Sequence, residues 1–219
     1  MPDKPSGPAA SASAPNGGTH GAKTAGEAYA ERLNTLQSKK WKKWLNVQAP
    51  YRANLRRYRL GRTLDVGCGN GRNLAALGRG SVGVDHNPHL VRTTRELGLE
   101  AYTTDEFFAD ASLSAPGAFD AILASHLIEH LRYDEALDVM RQYLPCVRPG
   151  GRILLITPQE RGHASDPTHV AFSDFAVLRR LTADLGLDTT RERSFPFPRL
   201  LGKLFIYNEF NLEATVPVA

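Results

Sequence analysis

Asp65, Gly67, Gly69 and Gly71 lie in the run Leu64-Asp65-Val66-Gly67-Cys68-Gly69-Asn70-Gly71, which passes directly into Arg72-Asn73-Leu74. Closely spaced glycines permit a tight turn and let the backbone come close to a ligand. Twenty residues after Asp65, Asp85 closes Val82-Gly83-Val84-Asp85, where a carboxylate can accept both hydroxyls of a ribose. The dinucleotide fingerprint that grips a pyrophosphate is Gly-x-Gly-x-x-Gly. The spacing Gly67-x-Gly69-x-Gly71 departs from it and suits an adenosine ligand without a pyrophosphate better. A second polar group of residues follows at Gly162-His163-Ala164-Ser165-Asp166-Pro167-Thr168-His169. An imidazole titrates near about 6.5, which suits proton abstraction around neutrality, so His169 is a candidate general base. The plainer reading is a histidine that hydrogen-bonds its loop to the domain. Glu160, His163, Asp166 and His169 carry metal-ligating atoms, but their spacing matches no strong metal signature and no metal ligand is assigned.

Positioning these groups requires strands that end at them. Short apolar runs predict strands over 63–66, 81–84, 99–103, 119–124 and 152–157, with helices over 73–77, 88–97 and 134–144 between them. Asn87 is an N-cap with Pro88 at the first helical position, and Gly98 closes that helix. The turn Arg148-Pro149-Gly150-Gly151 introduces the fifth strand, and Ser173 is expected to cap a helix that Gly186 ends. Segments 187–194 and 205–216 read as two final strands with no helix between them, hence antiparallel. Alternating strands and helices imply an α/β fold, a Rossmann-like doubly wound sheet of seven mostly parallel strands with an antiparallel C-terminal edge. Asp120 reads as a surface residue at the start of the fourth strand.

Four of these stretches together resemble one family. Asp65 to Gly71 looks like the first motif of class I S-adenosylmethionine-dependent methyltransferases, and Val82 to Asp85 resembles their second. The run Phe119-Asp120-Ala121-Ile122-Leu123-Ala124-Ser125-His126-Leu127-Ile128-Glu129-His130-Leu131 is similar to the fourth-strand motif. Val147-Arg148-Pro149-Gly150-Gly151 is similar to the turn before the fifth strand. The resemblance implies S-adenosylmethionine as cofactor, with Gly67, Cys68, Gly69 and Gly71 lining its methionine portion and Asp65 close by. It implies that Asp85 holds the ribose and that His86 lies beside the adenine. Asp105 would accept from the adenine amino group, although Thr104-Asp105-Glu106 departs from the usual pattern. Ser125 and His126 would face the sulfonium end and the acceptor. Asp65 reads alternatively as a cap on the following turn, and Glu129 and His130 as braces of the turn after the fourth strand.

Methyl transfer to an aliphatic hydroxyl needs a base or a metal ion, so a divalent cation such as magnesium is compatible with this chemistry although the sequence assigns it no site. Catechol-type relatives place an aspartate where this chain has Ser125-His126. The segment Asp-Pro-Thr-His-Val-x-Phe resembles bacterial small-molecule and sugar methyltransferases, which implies a small acceptor such as a sugar or oligosaccharide hydroxyl, an actinobacterial sugar O-methyltransferase among the options. Two rival readings stay open: an RNA methyltransferase, and a cofactor-binding module without catalysis.

Composition bounds these readings. The chain has 219 residues, 42% of them hydrophobic and 23% charged, enough for one soluble domain. No apolar run reaches the roughly 18 residues of a membrane span, and the two cysteines, Cys68 and Cys146, form no disulfide framework, which favours a cytoplasmic setting. Between Leu33 and Leu64 there are nine basic residues and no acidic one, while the rest of the chain is net −5. That stretch is either a solvated helix face or, with Trp41, Trp44 and Tyr51, a surface for nucleic acid, which the absence of a separate RNA-binding module disfavours. The expected organisation is a disordered tail over 1–25, a helical cap over 26–60 and the catalytic domain over 61–219.

Overall fold

The computed structural model describes residues 48–218. The expected tail, most of the expected cap, and Lys39, Lys40, Trp41, Lys42, Lys43 and Trp44 lie outside these residues.

Seven strands form one sheet in the order β3-β2-β1-β4-β5-β7-β6. They are β1 (Thr63–Val66), β2 (Val82–Asp85), β3 (Ala101–Thr103), β4 (Phe119–Ser125), β5 (Val147–Pro158), β6 (Asp188–Phe195) and β7 (Glu209–Thr215). The first five are parallel, and β7 pairs antiparallel with both β5 and β6. The doubly wound sheet with a reversed edge is therefore present as the alternation of elements predicts.

The helices are α1 (Ala49–Arg57), α2 (Pro88–Glu96), α3 (Thr104–Ala109), α4 (Tyr133–Tyr143), α5 (Glu160–His163) and α6 (Phe175–Asp184). Leu64, Val66, Val82, Val84, Ile122, Ile153 and Leu155 turn one face of the sheet toward Phe107 of α3, Met140 of α4 and Leu178 of α6. The opposite face carries Ala121, Leu123, Leu154 and Ile156 against Leu55 and Tyr58 at α1, with Val91 of α2 covering Ala101. Burying both faces requires strands that are apolar throughout, and β4 has that character. Arg56, Arg57, Arg59 and Arg62 are exposed, and Arg52 is half-buried.

Three local expectations are corrected, and one helix is added. The segment after the glycine turn forms a single 3-10 turn, Leu74–Ala76, instead of a helix over 73–77. The fifth strand starts earlier, at Val147, and takes in the Pro149-Gly150-Gly151 turn as an irregularity opposite Phe119 and Ala121. Asp174, not Ser173, caps α6, its Oδ1 accepting from the N–H groups of Ala176 and Val177. Ser173 is buried and its carbonyl accepts from Thr157 Oγ1 at 2.7 Å. Helix α3 was not foreseen. It starts with a reciprocal capping box: Thr103 Oγ1 accepts from Glu106 N–H, and Glu106 Oε2 accepts from Thr103 N–H.

Candidate active site

The carboxyl ends of β1, β2, β4 and β5 meet at one edge of the sheet, the place where open α/β folds bind ligands. Gly67 follows β1 with φ +73°, and a side chain there would lie 2.9 Å from Leu127 Cδ1. The turn after β4 thus packs directly on the glycine turn. Gly69, at φ +57°, faces open space, since a Cβ there would meet nothing within 4 Å. Thr94 on α2 donates its hydroxyl to the Gly69 carbonyl at 3.0 Å and fixes the turn from below. Cys68 points away from that opening. Its thiol is buried with Val91 and Ala101 and fits over Gly83, where a Cβ would lie 2.7 Å from the sulfur. Cys68 and Cys146 are both buried free thiols.

Asp65 and Asp85 project from the same face of adjacent strands, with Asp65 opposite Gly83 in the register. Asp85 Oδ2 accepts from Gly69 N–H and Oδ1 from Asn87 N–H, both at 2.9 Å. A carboxylate has about four acceptor positions, so two remain for hydroxyls. Burial raises the Asp85 pKa, with His86 and the two backbone donors acting against it. Asp65 is wholly buried, and its Oδ2 accepts from no donor among the described residues. Burial first, then the neighbouring Asp85 carboxylate, lift its pKa to about 8. A buried carboxyl with a Leu74 backbone bond and one oxygen still unsatisfied, beside an open glycine cradle, has the chemistry to receive a ligand ammonium. That donor set, two carboxylates and a glycine opening, fits the methionine and ribose portions of S-adenosylmethionine. His86, half exposed, lies 3.5 Å from Asp85 Oδ1 at the same end. Asp105 is exposed on the first turn of α3, while the adjacent Glu106 is committed to Thr103 and to Arg95 at 2.7 Å.

At the end of β4, Ser125 is buried and His126 adopts φ +56°, a left-handed conformation that costs a non-glycine residue about 1–3 kcal/mol. Two carboxylates hold it there. His126 Nδ1 donates to Glu129 Oε1 at 3.1 Å, and Nε2 donates to Glu209 Oε1 at 2.9 Å. Burial works to lower the His126 pKa, but the bonds and charges of the two glutamates outweigh it and raise the value to about 9. Glu209 carried no signal in the sequence. It opens β7, and only the antiparallel return of that strand brings it to the end of β4. Asp120 sits at the opposite end of β4, accepting from Arg62 N–H at 2.9 Å and Arg148 Nε at 2.7 Å, away from the site.

The loop after β5 closes over this edge. The Glu129 carbonyl accepts from the N–H groups of Val170 and Ala171, at 2.7 and 3.2 Å. His169 Nδ1 donates to the His163 carbonyl at 2.8 Å, and the two imidazoles stack with centroids 5.0 Å apart. His169 is therefore both tied to its loop and held 4.8 Å, ring to ring, from His130. Of the ligand-bearing residues noted in this segment, Glu160 turns away and pairs with Arg199 at 2.8 Å. The structure gathers a different set: Glu129, His130 and His169.

The sequence pattern of the methyltransferase domain family matches residues 29–209. The chain belongs to that family. It carries the class I S-adenosylmethionine-dependent methyltransferase fold. Among solved structures, an S-adenosylmethionine-dependent methyltransferase from Archaeoglobus fulgidus matches with a TM-score of 0.58 at 20% identity, over 80% of this chain and 96% of that one. Magnesium protoporphyrin IX methyltransferase from Synechocystis PCC 6803, solved with S-adenosylhomocysteine bound, matches with a TM-score of 0.55 at 14% identity, over 85% and 99%. Ubiquinone biosynthesis O-methyltransferase from Xanthomonas campestris is 32% identical over 103 residues, 44% of this chain and 42% of that protein. Aclacinomycin 10-hydroxylase RdmB from Streptomyces purpurascens is 33% identical over 143 residues, 59% of this chain and 36% of that protein. The matched segments thus span less than half the length of these curated relatives. Among the described residues no helix is long and apolar enough to cross a membrane.

Proposed function

We propose that this methyltransferase-family chain transfers a methyl group from S-adenosylmethionine to a hydroxyl oxygen of a small-molecule acceptor. The observation that carries the reading is the buried pair Asp65 and Asp85 around an open glycine turn. The donor supplies a methyl group on a positively charged sulfur, an electrophile that needs no further activation. Asp65 takes the methionine ammonium, Asp85 the ribose hydroxyls, and Gly67, Gly69 and Gly71 let the backbone approach. His86 and Asp105 flank the adenine end, with Cys68 supporting the turn from beneath. Ser125 and His126 line the side toward the acceptor. His169 is the residue assigned to activation of the acceptor hydroxyl. The named O-methyltransferase among the relatives supports oxygen as the methylated atom, and the segment from Asp166 to Phe172 points to a sugar hydroxyl as the first acceptor class to try. Residues 61–219 form the catalytic unit in this reading, with 26–60 as its cap.

Calorimetric titration with S-adenosylmethionine and S-adenosylhomocysteine tests the first half; folded protein that binds neither sinks it. The second half is tested by the mass of acceptors recovered after incubation with the donor. A gain of one methylene unit supports methyl transfer, whereas a gain of one oxygen would align the chain with its hydroxylase relative. Replacing His169 by Ala is expected to reduce turnover about 100-fold or more with donor affinity unchanged; undiminished turnover removes His169 from the reaction.

A further inference from the structure

Glu129, His130 and His169 come from two separate segments, the 3-10 turn after β4 and the loop after β5, yet one ligand atom of each lies within 4.8 Å of the other two. Two imidazoles and one carboxylate are the donor set of catalytic zinc and non-haem metal sites, and around an ion with bonds of about 2.0–2.2 Å these three atoms would draw in from that separation. Glu129 is completely buried. Its Oε1 accepts from His126, while Oε2 accepts from no donor among the described residues. A buried acceptor left in that state is destabilising, and His126 reaches only the other oxygen, so a cation against Oε2 would satisfy it.

The surrounding bonds prepare the imidazoles in the way metal-ligating histidines are prepared. His169 Nδ1 is used in the bond to the His163 carbonyl. His130 Nδ1 lies 3.3 Å from both the carbonyl and the hydroxyl oxygen of Thr168. An Nδ1–H bonded to a backbone carbonyl fixes the tautomer that carries its lone pair on Nε2. His126, itself anchored by Glu209, orients the Glu129 carboxylate from behind. The Glu129 carbonyl, bonded to Val170 and Ala171, clamps the two ligand-bearing segments together.

We propose that Glu129, His130 and His169 bind a divalent ion of the first transition row, such as zinc, manganese or cobalt, with coordination positions left open for the acceptor hydroxyl. Two imidazole donors favour these ions over magnesium, which prefers an all-oxygen shell. The site itself stands on the geometry; its role rests on the hydroxyl-methylating reading above. There the ion lowers the pKa of the coordinated hydroxyl, whose proton leaves to solvent water. The oxygen lone pair then forms the O–CH3 bond as the S–CH3 bond breaks and its electron pair stays on sulfur. His169 acts as a ligand in this scheme, so the hydroxyl proton does not pass to it.

The test uses the full, untagged chain, stripped with a chelator and dialysed. Titration with Co2+ followed by visible absorption, and with Zn2+ and Mn2+ by calorimetry, is expected to show one tightly bound equivalent. Glu129→Gln, His130→Gln and His169→Gln are each expected to weaken it at least about 100-fold, and His126→Gln, one bond further out, about 10-fold. S-adenosylmethionine affinity should be unchanged in His169→Gln. Should the buried Glu129→Gln variant fail to fold by circular dichroism, the half-buried His169→Gln decides the matter. Folded wild-type protein that takes up none of the three ions, or variants that bind as wild type does, overturns the site. Hydroxyl methylation that survives complete chelation overturns its role while leaving the methyltransferase reading intact. One bound equivalent with no hydroxyl methylated would uphold the site and remove that reading instead.

Discussion

Asp65 carries a proton that an exposed aspartate would have lost, because burial and the Asp85 carboxylate lift its pKa from 3.8 to about 8. Between those two values the folded chain holds a proton that the unfolded chain releases, so rising pH favours unfolding across that window. Asp65→Asn abolishes this penalty. Its melting temperature at pH 9 is expected to exceed that of wild type by a few degrees, while affinity for S-adenosylmethionine falls at least about tenfold; a lower melting temperature at pH 9 would show that Asp65 is ionised and satisfied without ligand. Donor binding should also release a proton near neutrality, read from the dependence of calorimetric enthalpy on buffer, since an incoming ammonium stabilises the carboxylate. The sequence made Asp65, Asp85 and the glycines legible because their spacing is local. It did not separate the backbone of Cys68, which belongs to the turn, from its thiol, which fills the space above Gly83. Nor could it show Glu209, eighty-three residues from the His126 it holds.

At the scale of elements, the glycine turn is supported by one contact that tolerates no growth. A methyl group on Gly83 would sit 2.7 Å from Cys68 Sγ and 2.9 Å from Leu74 Cδ2. Gly83→Ala is expected to destabilise the fold by about 1–3 kcal/mol, measured by denaturant unfolding, and adding Cys68→Ala should recover part of the loss. A double variant as unstable as the single one would place the strain elsewhere. The strands were legible from their apolar runs, but the short element after the turn was not. Leu74 to Leu77 has a helical composition, yet Gly78-Arg79-Gly80 and then β2 follow immediately, leaving room for one turn. Ser173 and Asp174 are both good caps; the carboxylate won because the serine is held inside by Thr157. Helix α3 announced itself in Thr103-Thr104-Asp105-Glu106, a capping pattern readable from the sequence.

The whole molecule is tied together between its two described ends. Asn54 Nδ2 donates to Asn211 Oδ1 at 2.9 Å, and Tyr58 OH donates to the same oxygen at 3.1 Å. Tyr51 on α1 adds a bond to the Tyr207 carbonyl at 2.8 Å and an edge-on contact with Phe195. Asn211→Ala leaves two buried donors without an acceptor, at a cost of about 1–3 kcal/mol. Amides of α1 should then exchange with solvent faster than those of β4, and equal protection of the two would mean that α1 docks through its apolar residues alone. This tie was invisible to a reading along the chain, since asparagines in a short helix before β1 and in an edge hairpin look like solvent-facing residues until the sheet is assembled.

The reversed direction of β7 gives the molecule an order of completion. Because the strand runs backward, its first residue, Glu209, reaches the edge where the parallel strands finish, and His126 is secured only once it arrives. A chain still emerging from the ribosome has already made Asp65, Asp85, His130 and His169, yet the histidine beside them lacks its second anchor. A product cut short before β7 would contain every residue of the glycine turn and lack the second anchor of His126.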